Sequence, residues 1–132
     1  MNSDFFMDES CFACGSQNKN GLKLEIAENA EGVHAAIDPP IWSQGYSGVV
    51  HGGIVATILD EMAVWAALKK GYKSVTAELT MRVKSAMQVN QHYTAAAKVV
   101  NTKHRLIEAE SKILDKNQQL IASAKLKLLK VD

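Results

Sequence analysis

The sequence predicts an α+β domain in which a curved antiparallel sheet wraps round one long central helix. Three observations predict it. From His51 to about Lys70 no proline occurs and apolar residues cover most of a helical circumference, the pattern of a helix buried on nearly all sides. A pair of short strand-like stretches around a turn precedes that helix. After Gly71 the apolar period changes to two, and four strand-length stretches follow one another.

Taken in order, Leu22-Lys23-Leu24-Glu25-Ile26 alternates apolar with polar residues, and Val33-His34-Ala35-Ala36-Ile37 follows Asn29 and Gly32, so two strands around a turn are expected. Pro39 and Pro40 end that hairpin. Residues 41–48, with Ser43, Gln44, Gly45, Ser47 and Gly48, read as an irregular loop. The helix then carries Ile54, Val55, Ile58, Leu59, Met62, Val64, Trp65 and Leu68. Lys69 and Lys70 suit its negative end and Gly71 is a natural stop. Val75, Ala77, Leu79, Met81 and Val83 then alternate with Thr76, Glu78, Thr80, Arg82 and Lys84, an amphipathic strand. Residues 93–101, 105–114 and 120–129 read as three more, separated by turns at 86–91, 102–104 and 115–118. Short connections imply antiparallel neighbours, hence a four-strand meander.

At 132 residues the chain fits one domain, with residues 1–20 an N-terminal segment and 21–132 the domain itself; such a length buries about two thirds of the surface exposed on unfolding. Fifteen basic against fourteen acidic side chains remove the main electrostatic argument for nucleic acid or an anionic membrane as partner. The N-terminus, Met1 to Glu9, carries acids where a signal peptide has basic residues, and no apolar run approaches the roughly 18 residues of a membrane span. A cytoplasmic protein is expected. Cys11 and Cys14 form a single C-x-x-C; zinc needs two further ligands, and His34, His51, His92 and His104 lack metal-site spacing, so the pair reads as a structural turn with no metal.

The chemistry concentrates in Val50-His51-Gly52-Gly53 and the acid that follows. A helix beginning near His51 is expected to leave the Gly52 and Gly53 amides unpaired at its positive end, where they can polarise a carbonyl oxygen. Asp60 sits among Ile58, Leu59, Met62 and Ala63, where an acid must be solvated, paired or put to use. Eight residues at 1.5 Å each put Asp60 roughly 12 Å along the axis from Gly52, so one carbonyl cannot touch both. If both act on one substrate, the acid belongs to the helix of a second subunit and the protein is a two-fold dimer. Glu61 is the rival carboxylate, about 100° away round the helix. His51 is either an active-site donor or a loop residue that orders the helix start.

The stretch Gln44-Gly45-Tyr46-Ser47-Gly48-Val49-Val50-His51-Gly52-Gly53, then Ala56-Thr57-Ile58-Leu59-Asp60, resembles the hotdog-fold acyl-CoA thioesterases, especially the phenylacetate-pathway-type branch. The opening Cys11-Phe12-Ala13-Cys14-Gly15, continuing to Leu22, is similar to that branch too. The resemblance implies that Asp60 acts as general base or nucleophile, that the Gly52 amide polarises the thioester from the partner subunit beside His51 and Gly53, and that Thr76 assists. Many relatives carry an asparagine in the loop where this chain has Gln44 nearby. Coenzyme A is implied to meet Arg82, Lys84 and Ser85, and then Lys103, His104 and Arg105, three potential cations in one tight turn.

The expected function is therefore acyl-CoA hydrolysis by a homodimer, with a dimer of dimers (homotetramer) left open, and with no metal or bound cofactor. A non-catalytic acyl-CoA-binding or regulatory protein of the same fold is the alternative. A dehydratase or hydratase fits less well, because the proline-containing loop usual between its histidine and helix is missing between His51 and Asp60. Trp42, Tyr46, Met62 and Trp65 either line the acyl pocket or fill core; aromatic and fatty acyl groups are not separated.

Overall fold

The computed structural model describes residues 8–131; Met1 to Met7, which hold most of the acid-rich N-terminal stretch, and Asp132 lie outside the described residues. In chain order the elements are β1 (Ala27–Glu28), β2 (Val33–Ile37), a 3-10 turn (Ile41–Ser43), α1 (Gly52–Lys69), β3 (Ser74–Val83), β4 (Tyr93–Lys103), β5 (Leu106–Asp115) and β6 (Leu120–Lys130). The strands form one antiparallel sheet in the order β1-β2-β4-β5-β6-β3, and α1 packs against β2 through β6. The curved sheet wrapped round one helix is the architecture expected.

The helix ends where its residues dictate. His51 is the N-cap, and its side chain accepts a hydrogen bond from the Gly53 amide. At the other end Lys70 is the C-cap, Gly71 adopts φ +89°, its amide bonds the Leu68 carbonyl, and the Tyr72 amide reaches back to Ala67. That 6→1 and 5→2 pair is a Schellman motif, which needs a left-handed residue at the stop and so favours glycine.

Two expectations fail. Residues 22–26 are not a strand: Lys23 sits at φ 54°, which breaks the extended run, and the Leu22 and Leu24 amides bond to the Phe12 and Ala13 carbonyls instead of to a sheet partner. The alternation in that stretch packs Leu24 against the core beneath the N-terminal segment, with strand pairing limited to Ala27–Glu28. Nor is there a four-strand meander. β4, β5 and β6 form one, but β3 pairs with β6 at the edge of the sheet and not with β4. Residues 84–92 carry the chain across to β4 on hydrogen bonds that the alternation rule does not see: the Met87 carbonyl accepts from Val50, and the Val89 and Asn90 amides donate to Gly48 and Pro39. Met87 is buried and closes the end of the core where α1 begins.

The core lies between α1 and the sheet. Ile58, Leu59 and Met62 are fully buried, against Ile107, Ile113, Leu126 and Leu128. Small residues set the spacing: Ala63, Ala66 and Ala67 on the helix meet a sheet face that carries Ala95, Ala97, Ala109, Ala122 and Ala124, all buried. Small side chains on both sides let the layers approach closely, and a close-packed interior leaves little room for substitution. Ile58→Ala is therefore expected to lower the unfolding free energy by roughly 2–5 kcal/mol, measured by denaturant or thermal unfolding; a loss under about 1 kcal/mol would contradict this packing.

Candidate active site

Asp60 projects from the middle of α1 towards the edge strand, and the Thr76 hydroxyl donates a hydrogen bond to its Oδ1. Thr76 stands where β3 changes register against β6, between Thr76 and Glu78, with Ala77 as the extra residue. A bulge of this kind interrupts the alternation of a strand and re-aims a side chain, and here Thr76, exposed like Ala77 and Glu78, reaches the helix through its hydroxyl. Burial raises the Asp60 carboxyl above the ordinary aspartate range; the Thr76 hydroxyl offsets part of that, and the charge of Glu61 adds to it. Among the described residues the result is a half-buried acid with one hydrogen-bond partner, beside a strand whose outer edge pairs with nothing.

Glu61 faces the other way. Its Oε2 accepts from Trp65 Nε1 at 3.2 Å and from the Cys11 thiol at 3.5 Å, so adjacent positions on one helix carry two carboxylates into separate settings. Cys14 lies in the same cluster, and burial, followed by hydrogen bonding to Glu61, pushes its thiol well above the usual range. The Glu61–Trp65 spacing of four is visible in sequence; the approach of Cys11 and Cys14 to Glu61 carries no sequence signal. Among the described residues this is the one group of three potential metal ligands, with donor atoms within 4.8 Å of one another.

At the helix start the expectation of two free amides is half met. His51 Nδ1 accepts from the Gly53 amide at 2.9 Å, so that amide is engaged and His51 is the residue that orders the helix start. With Nδ1 accepting, the neutral ring carries its proton on Nε2. The Gly52 amide has no partner among the described residues, and nothing stands within 4 Å of where a Gly52 side chain would begin. Gln44 is turned inward on its own loop, where its Oε1 accepts from the Gly48 amide at 2.9 Å. Of the four bulky residues, Met62 fills core, Trp65 serves Glu61, and Trp42 and Tyr46 are exposed, Tyr46 at 87%.

The expected coenzyme A residues divide between the two ends of the sheet. β6 pairs Arg82 with Ser123 at one end and Ser74 with Lys130 at the other. The turn at Lys103, His104 and Arg105 belongs to the second end, since the Lys130 amide bonds the Arg105 carbonyl and Leu106 pairs with Leu129. Six residue steps along the strand separate Thr76 from Arg82, about 20 Å at roughly 3.4 Å each. Asp60, Thr76 and the 103–105 turn thus share one end, while Gly52, Arg82, Lys84 and Ser85 share the other, where the Val50 amide meets Met87. A groove of about 620 Å³ runs over the outward sheet face past Arg82, Lys98, Glu110, Lys112 and Lys125. It holds neither Asp60 nor Thr76, and of the expected residues it includes Arg82 alone. Among the described residues no helix is long and apolar enough to cross a membrane.

Several solved structures share this architecture. A thioesterase superfamily protein superposes with a TM-score of 0.87 at 22% identity, over 92% of this chain and 61% of that one, so the present chain spans less than two thirds of that relative. The Escherichia coli PaaI protein from the phenylacetic acid degradation operon matches with a TM-score of 0.77 at 18% identity, over 83% of this chain and 84% of that one. A hypothetical thioesterase of Streptococcus pneumoniae TIGR4, crystallised with coenzyme A, matches with a TM-score of 0.76 at 18% identity, over 81% and 84%. That thioesterase has also been crystallised with an aspartate and, separately, a threonine 16 residues further on replaced by alanine. No curated protein matches the chain. The family model of the thioesterase superfamily matches residues 47–122, from the loop before α1 into β6 and through Gly52, Asp60 and Thr76, and the chain belongs to that superfamily.

Proposed function

We propose that the protein hydrolyses an acyl-CoA thioester to a free acid and coenzyme A, at a site shared by two copies of the chain. The observation that carries this reading is the Asp60–Thr76 pair: a half-buried carboxylate held by a hydroxyl on an edge strand of the sheet. The spacing of that pair, 16 residues, equals the spacing of the two positions replaced in the Streptococcus pneumoniae thioesterase, and that protein's coenzyme A supports the ligand class.

Thr76 occupies Asp60 Oδ1, which leaves Oδ2 to accept a proton from water. The hydroxide so formed adds to the thioester carbonyl, the oxyanion is met by a backbone amide, the C–S bond breaks and the thiolate leaves with the proton returned from Asp60. The alternative role, direct attack by the Asp60 carboxylate, passes through an acyl anhydride that water then cleaves. In either case the amide is the Gly52 amide of the partner subunit, because the same chain's Gly52 lies about 12 Å off along the helix.

The edge strand supports the pairing. A ten-residue strand whose outer edge is unpaired among the described residues is a template for another strand, and β3 laid antiparallel on its own copy is a two-fold contact. That arrangement brings the Gly52, Arg82, Lys84 and Ser85 end of one chain to the Asp60, Thr76, Lys103, His104 and Arg105 end of the other. Both halves of the acyl site and both halves of the coenzyme A site are then completed together.

Three outcomes are expected. Asp60→Asn lowers kcat by at least about 100-fold with little change in Tm, followed as thiol released from a panel of acyl-CoAs; near-normal turnover would sink the mechanism, and binding without thiol release by the wild-type protein would favour a sensor. Gly52→Pro removes only the N–H: proline is tolerated at the first helical position, His51 at ψ 136° already suits a following proline, and the space beside Gly52 is open. This variant is expected to fold and to be inactive, yet a 1:1 mixture refolded with Asp60→Asn chains regains about a quarter of wild-type activity, since half the dimers are mixed and each of those has one intact site; no recovery counts against shared sites. Lys103→Ala with Arg105→Ala raises KM roughly tenfold while kcat holds, the loss of charge-assisted phosphate contacts; an unchanged KM would move coenzyme A elsewhere.

A further inference from the structure

We propose that Cys11, Cys14 and Glu61 form a binding site for a thiophilic divalent cation, zinc in type, that ties the N-terminal segment to α1. The three donor atoms already lie within 4.8 Å of one another, and Cys11 Sγ is 3.5 Å from Glu61 Oε2. Around a tetrahedral zinc, with Zn–S about 2.3 Å and Zn–O about 2.0 Å, a sulfur and an oxygen sit about 3.5 Å apart and two sulfurs about 3.8 Å apart. The cluster therefore matches the separations of a coordination shell with small adjustments. Without an ion the same atoms form thiol–carboxylate hydrogen bonds. Binding displaces one proton from each thiol and leaves the fourth position to water.

The surroundings are those of a held site rather than a chance meeting. The two cysteines are brought to one side by a tight turn in which the Gly15 amide bonds the Cys11 carbonyl at 2.9 Å. A side chain at Gly15 would begin 2.4 Å from the Cys11 nitrogen and 2.4 Å from the Glu9 carbonyl oxygen, so only glycine allows the turn to close. The Leu22 and Leu24 amides bond the Phe12 and Ala13 carbonyls, which clamps the turn from the far side. Trp65 Nε1 donates to Glu61 Oε2, an outer partner of the kind that orients a ligating carboxylate. The ligand that two cysteines lack in sequence, 47 residues beyond the second, is supplied by the helix. Because Glu61 faces the N-terminal segment and Asp60 faces β3, the cation site does not depend on the hydrolytic reading.

The test uses the full-length untagged protein, reduced and stripped with a chelator. Titration with Co²⁺ is expected to give one equivalent per chain with an intense near-ultraviolet sulfur-to-cobalt band, and Zn²⁺ is expected to displace the cobalt and to protect both thiols from alkylation. Cys14→Ser is expected to abolish the band, and Glu61→Gln, which keeps a side chain for Trp65 to bond, to weaken binding about tenfold or more. Should the serine variant fail to fold, thiol protection in the wild-type protein and the Glu61→Gln titration still decide. No sulfur-to-cobalt band in the wild-type protein, thiols equally reactive with and without Zn²⁺, a Cys11–Cys14 disulfide that resists mild reductant, or unchanged affinity in Glu61→Gln would each overturn the proposal.

Discussion

Everything in this molecule hangs on how α1 is buried. The helix has no dominant polar face, so a single layer of sheet cannot satisfy it, and the strands curl until β2 through β6 all touch it. Alanines on both surfaces let that wrap be close. On the side that faces β3, a strip of Gly53, Ala56, Thr57, Asp60 and Val64 remains exposed or half-buried. The polar groups of the candidate site fall in that strip or at its two ends. The fold thus positions the acid by failing to cover it.

Asp60 and Glu61 illustrate how much a single residue step decides. They share charge, helix and near-equal burial, yet Asp60 meets a hydroxyl on a bulged strand while Glu61 meets an indole and a thiol. The 3.6-residue period turns consecutive side chains about 100° apart, and each then takes its chemistry from whatever the fold places opposite.

What could be read from the sequence follows from the range of the forces involved. The helix and its glycine stop are local, and the pattern of residues 51–71 contains them. The strand-length stretches after Gly71 are local too, and all four exist. Their order is not local: β3 joins β6 and not β4 because residues 84–92 find hydrogen bonds on the loop before α1, an interaction between segments nearly 40 residues apart with no signature in either. Residues 22–26 alternate like a strand but answer to Phe12 and Ala13 instead. At the site, Asp60 and Gly52 were legible as types and as a distance, whereas the engagement of the Gly53 amide by His51 and the third member of the cysteine cluster required the folded chain.

The sheet order also sets a sequence of events during synthesis. β3 emerges at residues 74–83, but its one partner among the described residues, β6, begins at residue 120. Every other long strand meets a neighbour that is already made or comes next. For that interval β3 waits without β6, and pairing it closes a long loop, a slow step that exposes apolar strand surface while it waits. Loss of the last dozen residues would therefore do more than shorten the sheet. It would strand β3 permanently, with its outer edge and its β6-facing edge both open to other chains.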